Sequence, residues 1–247
     1  MKITPAILPK THEDLKQKIS AVLGAVDMVQ IDMCDGTFSD TITWPFYAKI
    51  KKKGSEADEE DDGLFGIDQH AQAILDEQEG LPYWEKMNFE FDLMVSDGIK
   101  HFDSYLKMGP TSIVFHLKKD DDKAQFSEFL EAIDIYTREQ TKIGIAIETT
   151  DTIADFSSII SHVDFVQCMG IETIGYQAQP FDERVLEQIQ TLRQMFPDID
   201  ISVDGGVNFD TAEELIAAGV TRLVIGSAIY NTMDPGEAIK EFESLSY

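Results

Sequence analysis

Hydrophobic positions along this chain switch between two periods. Short runs in which apolar residues fall on alternate positions recur from end to end, each followed by a longer stretch spaced like one face of a helix. The runs predict strands at Ile3–Leu8, Met28–Met33, Phe89–Val95, Ser112–Leu117, Lys142–Glu148, Asp164–Met169, Ile199–Val203 and Arg222–Ile225. Helical patterns begin near Thr11, Pro45, Asp97, Asp122, Asp151, Asp182, Asp210 and Asp234, several at residues whose side chains cap helix N-termini. Strictly alternating βα units imply a parallel sheet with crossover helices. Eight of them predict a closed (β/α)8 TIM barrel, and an open doubly wound sheet is disfavoured because GxGxxG is missing after the first strand.

The 247 residues are expected to form one domain, 1–247. One segment exceeds what a minimal barrel needs. Residues 54–80, between the second helix and the third strand, carry ten acids and no Lys or Arg. They read as an acidic surface insertion, with a solvated loop over Glu56–Asp62 and a short helix within Ile67–Gln78.

Phase along the strands sorts the candidate chemistry. On the second strand Val29, Ile31 and Met33 form the phase that packs under helices, which leaves Gln30 and Asp32 facing the barrel axis. The same sorting turns Glu90 and Asp92 inward on the third strand, Asp200, Ser202 and Asp204 on the seventh, with His116 ending the fourth and Glu148 the fifth. Barrels keep their sites at the C-terminal ends of the strands, where Asp32, Asp92 and Asp204 are expected to converge. Three carboxylates brought together without a task would repel one another and cost desolvation, so a functional role is expected. Glu90, Asp200, Ser202 and Gln167 lie deeper and are read as a structural hydrogen-bond network.

VDGGVN (Val203–Asn208) and IGSAI (Ile225–Ile229) place glycines just past the seventh and eighth strands, where backbone N–H groups commonly hold a phosphate. That predicts contacts from Gly205, Gly206, Gly226 and Ser227. His116 is a further candidate ligand of substrate or metal. No Lys stands at an inward strand end, which argues against Schiff-base chemistry.

Charge narrows the partners. With 46 acids against 20 bases and a net charge of −26, nucleic acids and anionic membranes are disfavoured, whereas a single phosphate held by backbone remains allowed. Two cysteines are too few for a disulfide framework, no apolar run reaches membrane-spanning length, and no signal-like segment precedes Ile3, so a cytoplasmic protein is expected. A homo-oligomer is left open.

Several segments carry a resemblance: PAIL at Pro5–Leu8, QIDMCDGTF at Gln30–Phe38, FDLMV at Phe91–Val95, IGYQAQPFDERVLEQI at Ile174–Ile189, VDGGVN, and GSAIY at Gly226–Tyr230. In that order they resemble the D-ribulose-5-phosphate 3-epimerases, apart from the acidic segment. The resemblance implies a carbohydrate isomerase of the pentose phosphate pathway that interconverts ribulose 5-phosphate and xylulose 5-phosphate through an ene-diolate. Asp32 and Asp204 would be the catalytic pair, and Met94 and Gly175 would contact the substrate. It also implies a divalent metal on two histidines and two aspartates, at the positions of Gln30, Asp32, Asp92 and Asp204. Here Gln30 and Asp92 replace both imidazoles, so an oxygen-only site for Mg²⁺ or Mn²⁺ is expected. Pro9 replaces a substrate-touching serine, Cys34 a methionine, and Gln177–Ala178 two glycines. Two alternatives stand beside this reading: an epimerase of another sugar phosphate such as a hexulose 6-phosphate, and a non-catalytic phosphosugar-binding barrel.

Overall fold

The computed structural model describes residues 1–47, 68–117, 120–176 and 179–245, and in it the alternating runs pair side by side as eight parallel strands. They are β1 (Lys2–Ile7), β2 (Met28–Cys34), β3 (Asn88–Met94), β4 (Ser112–His116), β5 (Lys142–Ile147), β6 (Phe165–Met169), β7 (Asp200–Asp204) and β8 (Arg222–Ile225). Strand β8 pairs back onto β1, with Ile3 opposite Leu223, and closes the barrel. Each expected strand is present, with ends shifted by no more than one residue.

The intervening helices are α1 (His12–Val22), α2 (Gln69–Leu75), α3 (Phe102–Lys107), α4 (Asp120–Ala132), α5 (Ile135–Gln140), α6 (Ser157–Ile160), α7 (Arg184–Met195), α8 (Phe209–Ala218), α9 (Ser227–Tyr230) and α10 (Pro235–Ser244). Local chemistry sets their starts. The Thr11 hydroxyl accepts the Asp14 N–H ahead of α1, and Asp234 accepts that of Glu237 in α10. Asn208 and Thr211 form a reciprocal capping box at α8, which ends at Gly219 in the left-handed conformation. Helix α2 lies inside the segment read as an acidic insertion. The expected acidic loop at Glu56–Asp62 and most of the helix expected after Pro45 fall outside the described residues. Among the described residues no helix is long and apolar enough to cross a membrane.

Period two divides the core. Val29, Ile31, Met33, Phe91, Ile145 and Val203 point outward and are fully buried beneath the helices, together with Leu15 and Ile19 of α1 and Ile189 of α7. The opposite phase fills the barrel: Cys34, Met94, Val114, Ala146, Phe165 and Met169 form a separate apolar layer. His12 and His70 stack face to face with ring centroids 4.1 Å apart, joining α1 to α2, and burial lowers the His12 pKa.

Below that layer is a polar network. The fully buried Glu90 accepts hydrogen bonds from Arg222 Nη1 (2.7 Å) and Ser112 Oγ (2.8 Å), and Arg222 Nη2 donates to Ser202 Oγ (3.2 Å). The structural role expected for Glu90 and Ser202 is what these contacts describe. Removing one member of a buried ion pair strands the other, so Arg222→Met is expected to cost about 3 kcal/mol in chemical denaturation. Arg222→Met combined with Glu90→Leu should recover part of that loss, because no buried charge is then left unpaired.

Candidate active site

Three carboxylates meet at the C-terminal mouth because the register delivers them there. Asp32 on β2 stands directly opposite Asp92 on β3, and Asp204 on β7 is bracketed by Met169 of β6 and Val224 of β8. One oxygen from each lies within 4.8 Å of the others. All three line a cavity of about 200 Å³ that opens at this end of the barrel.

Neighbouring groups fix each acid. The Thr43 hydroxyl donates to the Asp32 carbonyl (2.7 Å) and accepts the Cys34 N–H (2.8 Å), which pins the end of β2. The Asp204 carbonyl accepts the Gly170 N–H at 2.7 Å. Gln30 sits one pleat below Asp32 and donates its Nε2 to both Asp32 Oδ1 (2.8 Å) and Asp204 Oδ2 (2.7 Å). Its amide nitrogen, not its oxygen, therefore faces the two carboxylates. His116 lies 2.8 Å through Nε2 from Asp92 Oδ1, with both side chains almost wholly buried. Asp92 keeps Oδ2 buried and without a partner.

Electrostatics follow from this crowding. Burial first, then the neighbouring Asp204 and Asp92 carboxylates, raise the Asp32 pKa well above the usual range. Burial and Asp92 likewise raise Asp204 to about 7, and the Gln30 hydrogen bonds only partly offset both shifts. For His116, burial opposes the charged form, but the Asp92 carboxylate prevails and its pKa rises. Near neutral pH the Asp32–Asp204 pair thus readily shares one proton between two carboxyls.

A raised carboxyl pKa favours the folded state below the unfolded value near 4, and that stability is lost as pH rises through about 7. Chelator-treated protein should therefore melt progressively lower across that interval. Asp204→Asn should flatten the slope and melt higher than the parent at pH 8 by about 2 kcal/mol, or about 5 °C, as calorimetry at several pH values would measure.

The donor set suits a hard divalent cation. Asp32, Asp92 and Asp204 supply oxygens only, and the unpartnered Asp92 Oδ2 is a ready ligand atom. Burial and the adjacent carboxylates push the nearby Cys34 thiol strongly upward, so it stays protonated and offers no thiolate.

Met94, Gly175, Gly205, Gly206, Gly226 and Ser227 all line the same cavity as the three aspartates. Gly205 and Gly206 take φ of +95° and +68°, a pair of left-handed residues that only glycine adopts easily. A side chain at Gly206 would also strike the Phe181 backbone at 2.8 Å. His116 and Gln30 do not line this cavity: one stands behind Asp92, the other beneath the two remaining acids. Gln179, Tyr176 and Asn208, not among the expected contacts, also line it. Gln179 and Tyr176 lie within IGYQAQ and Asn208 ends VDGGVN, so the motifs that carried the resemblance contained the signal. Gln177 and Ala178 lie outside the described residues.

Comparison with known proteins places the chain in a family. Residues 72–230 match the family model described as the ribulose-phosphate 3 epimerase family. The ribulose-phosphate 3-epimerase of Mycobacterium leprae (strain TN) is 26% identical over 241 residues, which cover 96% of this chain and 91% of the relative. The cytoplasmic isoform from Oryza sativa subsp. japonica is 24% identical over 244 residues, with coverages of 96% and 91%. Among solved structures, 3-hexulose-6-phosphate synthase from Salmonella typhimurium superposes with a TM-score of 0.64 at 15% identity, covering 100% of this chain and 98% of that one, a likeness of fold. A barrel closed in this order, carrying the matched motifs at the mouth of its strands, belongs to the ribulose-phosphate 3-epimerase family, a family of isomerases.

Proposed function

We propose that this chain epimerises a ketose phosphate at C3, with ribulose 5-phosphate and xylulose 5-phosphate as its pair. The observation that carries this reading is the placement of Asp32 and Asp204, two acids of raised pKa on separate strands facing one cavity and tied to one amide.

A substrate carbon lodged between them meets one carboxyl from the β2 side and the other from the β7 side. The ionised partner takes the C3 proton, and the C–H electron pair becomes the C2–C3 double bond while the ketone oxygen gains the negative charge. The protonated partner then returns a proton to the opposite face of C3, so the two acids end with exchanged protonation states. In the reverse direction their roles exchange. Gln30 holds both carboxyls at fixed positions through each transfer. Asp32, Asp92 and Asp204 would hold a divalent cation, which when bound supplies Lewis-acid stabilisation of the developing oxyanion. The N–H groups of Gly205, Gly206, Gly226 and Ser227 would cradle the phosphate, with Gly175 approaching from the β6 side and Met94 covering the planar intermediate. His116 acts through Asp92, holding one of its oxygens so that the other is left for the cavity.

The test is steady-state interconversion of a ketose-phosphate panel by the full chain with added Mg²⁺ or Mn²⁺. Turnover of ribulose 5-phosphate above that of hexulose 6-phosphates is expected. Binding of these sugars without turnover of any would reject the reading.

A further inference from the structure

The barrel has a second opening, and its wall is incompletely paired. At the N-terminal ends of the strands, opposite the aspartate mouth, lies a cavity of about 520 Å³. Glu90 lines it, with Oε2 bound to Arg222 and Ser112 and with Oε1 buried and lacking any hydrogen-bond partner. A buried carboxylate oxygen without a donor is left at an energetic cost, so an outside donor would be favoured there. Arg222 is not free to turn toward it. Its second nitrogen is held by Ser202, and its guanidinium lies over the Phe165 ring, 5.0 Å from the centroid.

The rim supplies the complementary charges. Register sets Lys2 beside Arg222 and Lys142 beside Ser112, and both lysines are exposed and lack ion-pair partners among the described residues. Glu139 and Asp200 complete this wall, so apart from the Glu90–Arg222 pair it carries two cations and two anions. A bare anion would meet Glu90, and a bare cation would meet Arg222 and the lysines. A molecule bearing one of each charge can meet both Glu90 and the two lysines of this wall.

We propose that the floor of the barrel is a second binding site, which takes a small zwitterion of the amino-acid type. Its ammonium donates to Glu90 Oε1, and its carboxylate meets Lys2 and Lys142 at the rim. This site is separate from the aspartate cavity, and its occupancy does not depend on the reaction proposed there.

The test is an NMR titration of isotopically labelled full-length protein with glycine, β-alanine and 4-aminobutyrate, alongside butylammonium and butyrate as single-charge arms. At least one amino carboxylate should saturate, moving the backbone signals of Ser112, Ser202 and Arg222 while those of Gly205 and Gly226 stay in place. It should bind about fivefold more tightly than either single-charge compound, and Lys2→Ala with Lys142→Ala should remove about that factor. Because Glu90→Gln disturbs a buried pair, the exposed lysine variants, checked for unchanged melting, decide the matter. Absence of saturation would mean a solvent-filled vestibule only and would overturn the proposal. Equal binding by butylammonium, or shifts confined to the upper mouth, would overturn it as well.

Discussion

Asp204→Asn is expected to slow C3 proton transfer by about 10³-fold, with KM changed by no more than about threefold. Asparagine keeps the size of the side chain, and its carbonyl oxygen can still accept the Gln30 Nε2 hydrogen bond now made to Asp204 Oδ2 at 2.7 Å. What it loses is a group that gains and releases a proton near neutral pH. Asp32→Asn should fail to a similar degree. The double variant should be little worse than either single one, because the two acids act on one carbon as a unit and either loss breaks the relay. Single-turnover kinetics on each variant would measure this. Independent losses that multiply in the double variant would contradict a shared proton path.

Removal of divalent cations should have the next largest effect. Without a cation among the carboxylates of Asp32, Asp92 and Asp204, the oxyanion forms beside negative charge. Turnover should fall about 100-fold after chelation and return with Mg²⁺ or Mn²⁺. Asp92→Asn should weaken the cation about tenfold while leaving the Asp32 and Asp204 pair in place. Calorimetric titration of chelated protein with Mn²⁺ gives that affinity without reference to activity. An unchanged affinity in Asp92→Asn would exclude Asp92 from the ligand set.

The barrel was legible because strand phase and strand number are local signals. Alternation in MVQIDM and IGIAI places Ile31 and Ile145 under helices and turns Asp32 and Ala146 inward without reference to the rest of the chain. The convergence of Asp32, Asp92 and Asp204 followed from that phase together with the closure of the sheet. Helices α5 and α9 were not anticipated. Helix α5 buries no side chain, so it leaves no apolar stripe to read, although Asp134 caps it, and α9 is a single turn. The tie from Gln30 to Asp204 and the Arg222–Glu90 pair join residues 174 and 132 positions apart, and no local pattern encodes such pairings. His116, from its place at a strand end, reads as a ligand of substrate or metal. Its partner is the neighbouring Asp92, because side chains of like phase on adjacent strands meet before either reaches the axis.

The most direct test of the central claim is incorporation of solvent deuterium at C3 of ribulose 5-phosphate, followed by NMR in D₂O with Mn²⁺ or Mg²⁺ present. Deuterium is expected to enter at C3 alone and to appear in both ribulose and xylulose 5-phosphates, with Asp32→Asn and Asp204→Asn each slowing formation of the deuterated epimer about 10³-fold. Formation of the deuterated epimer at the parent rate in either variant, or no incorporation by the parent protein under any divalent cation, would contradict the two-acid relay.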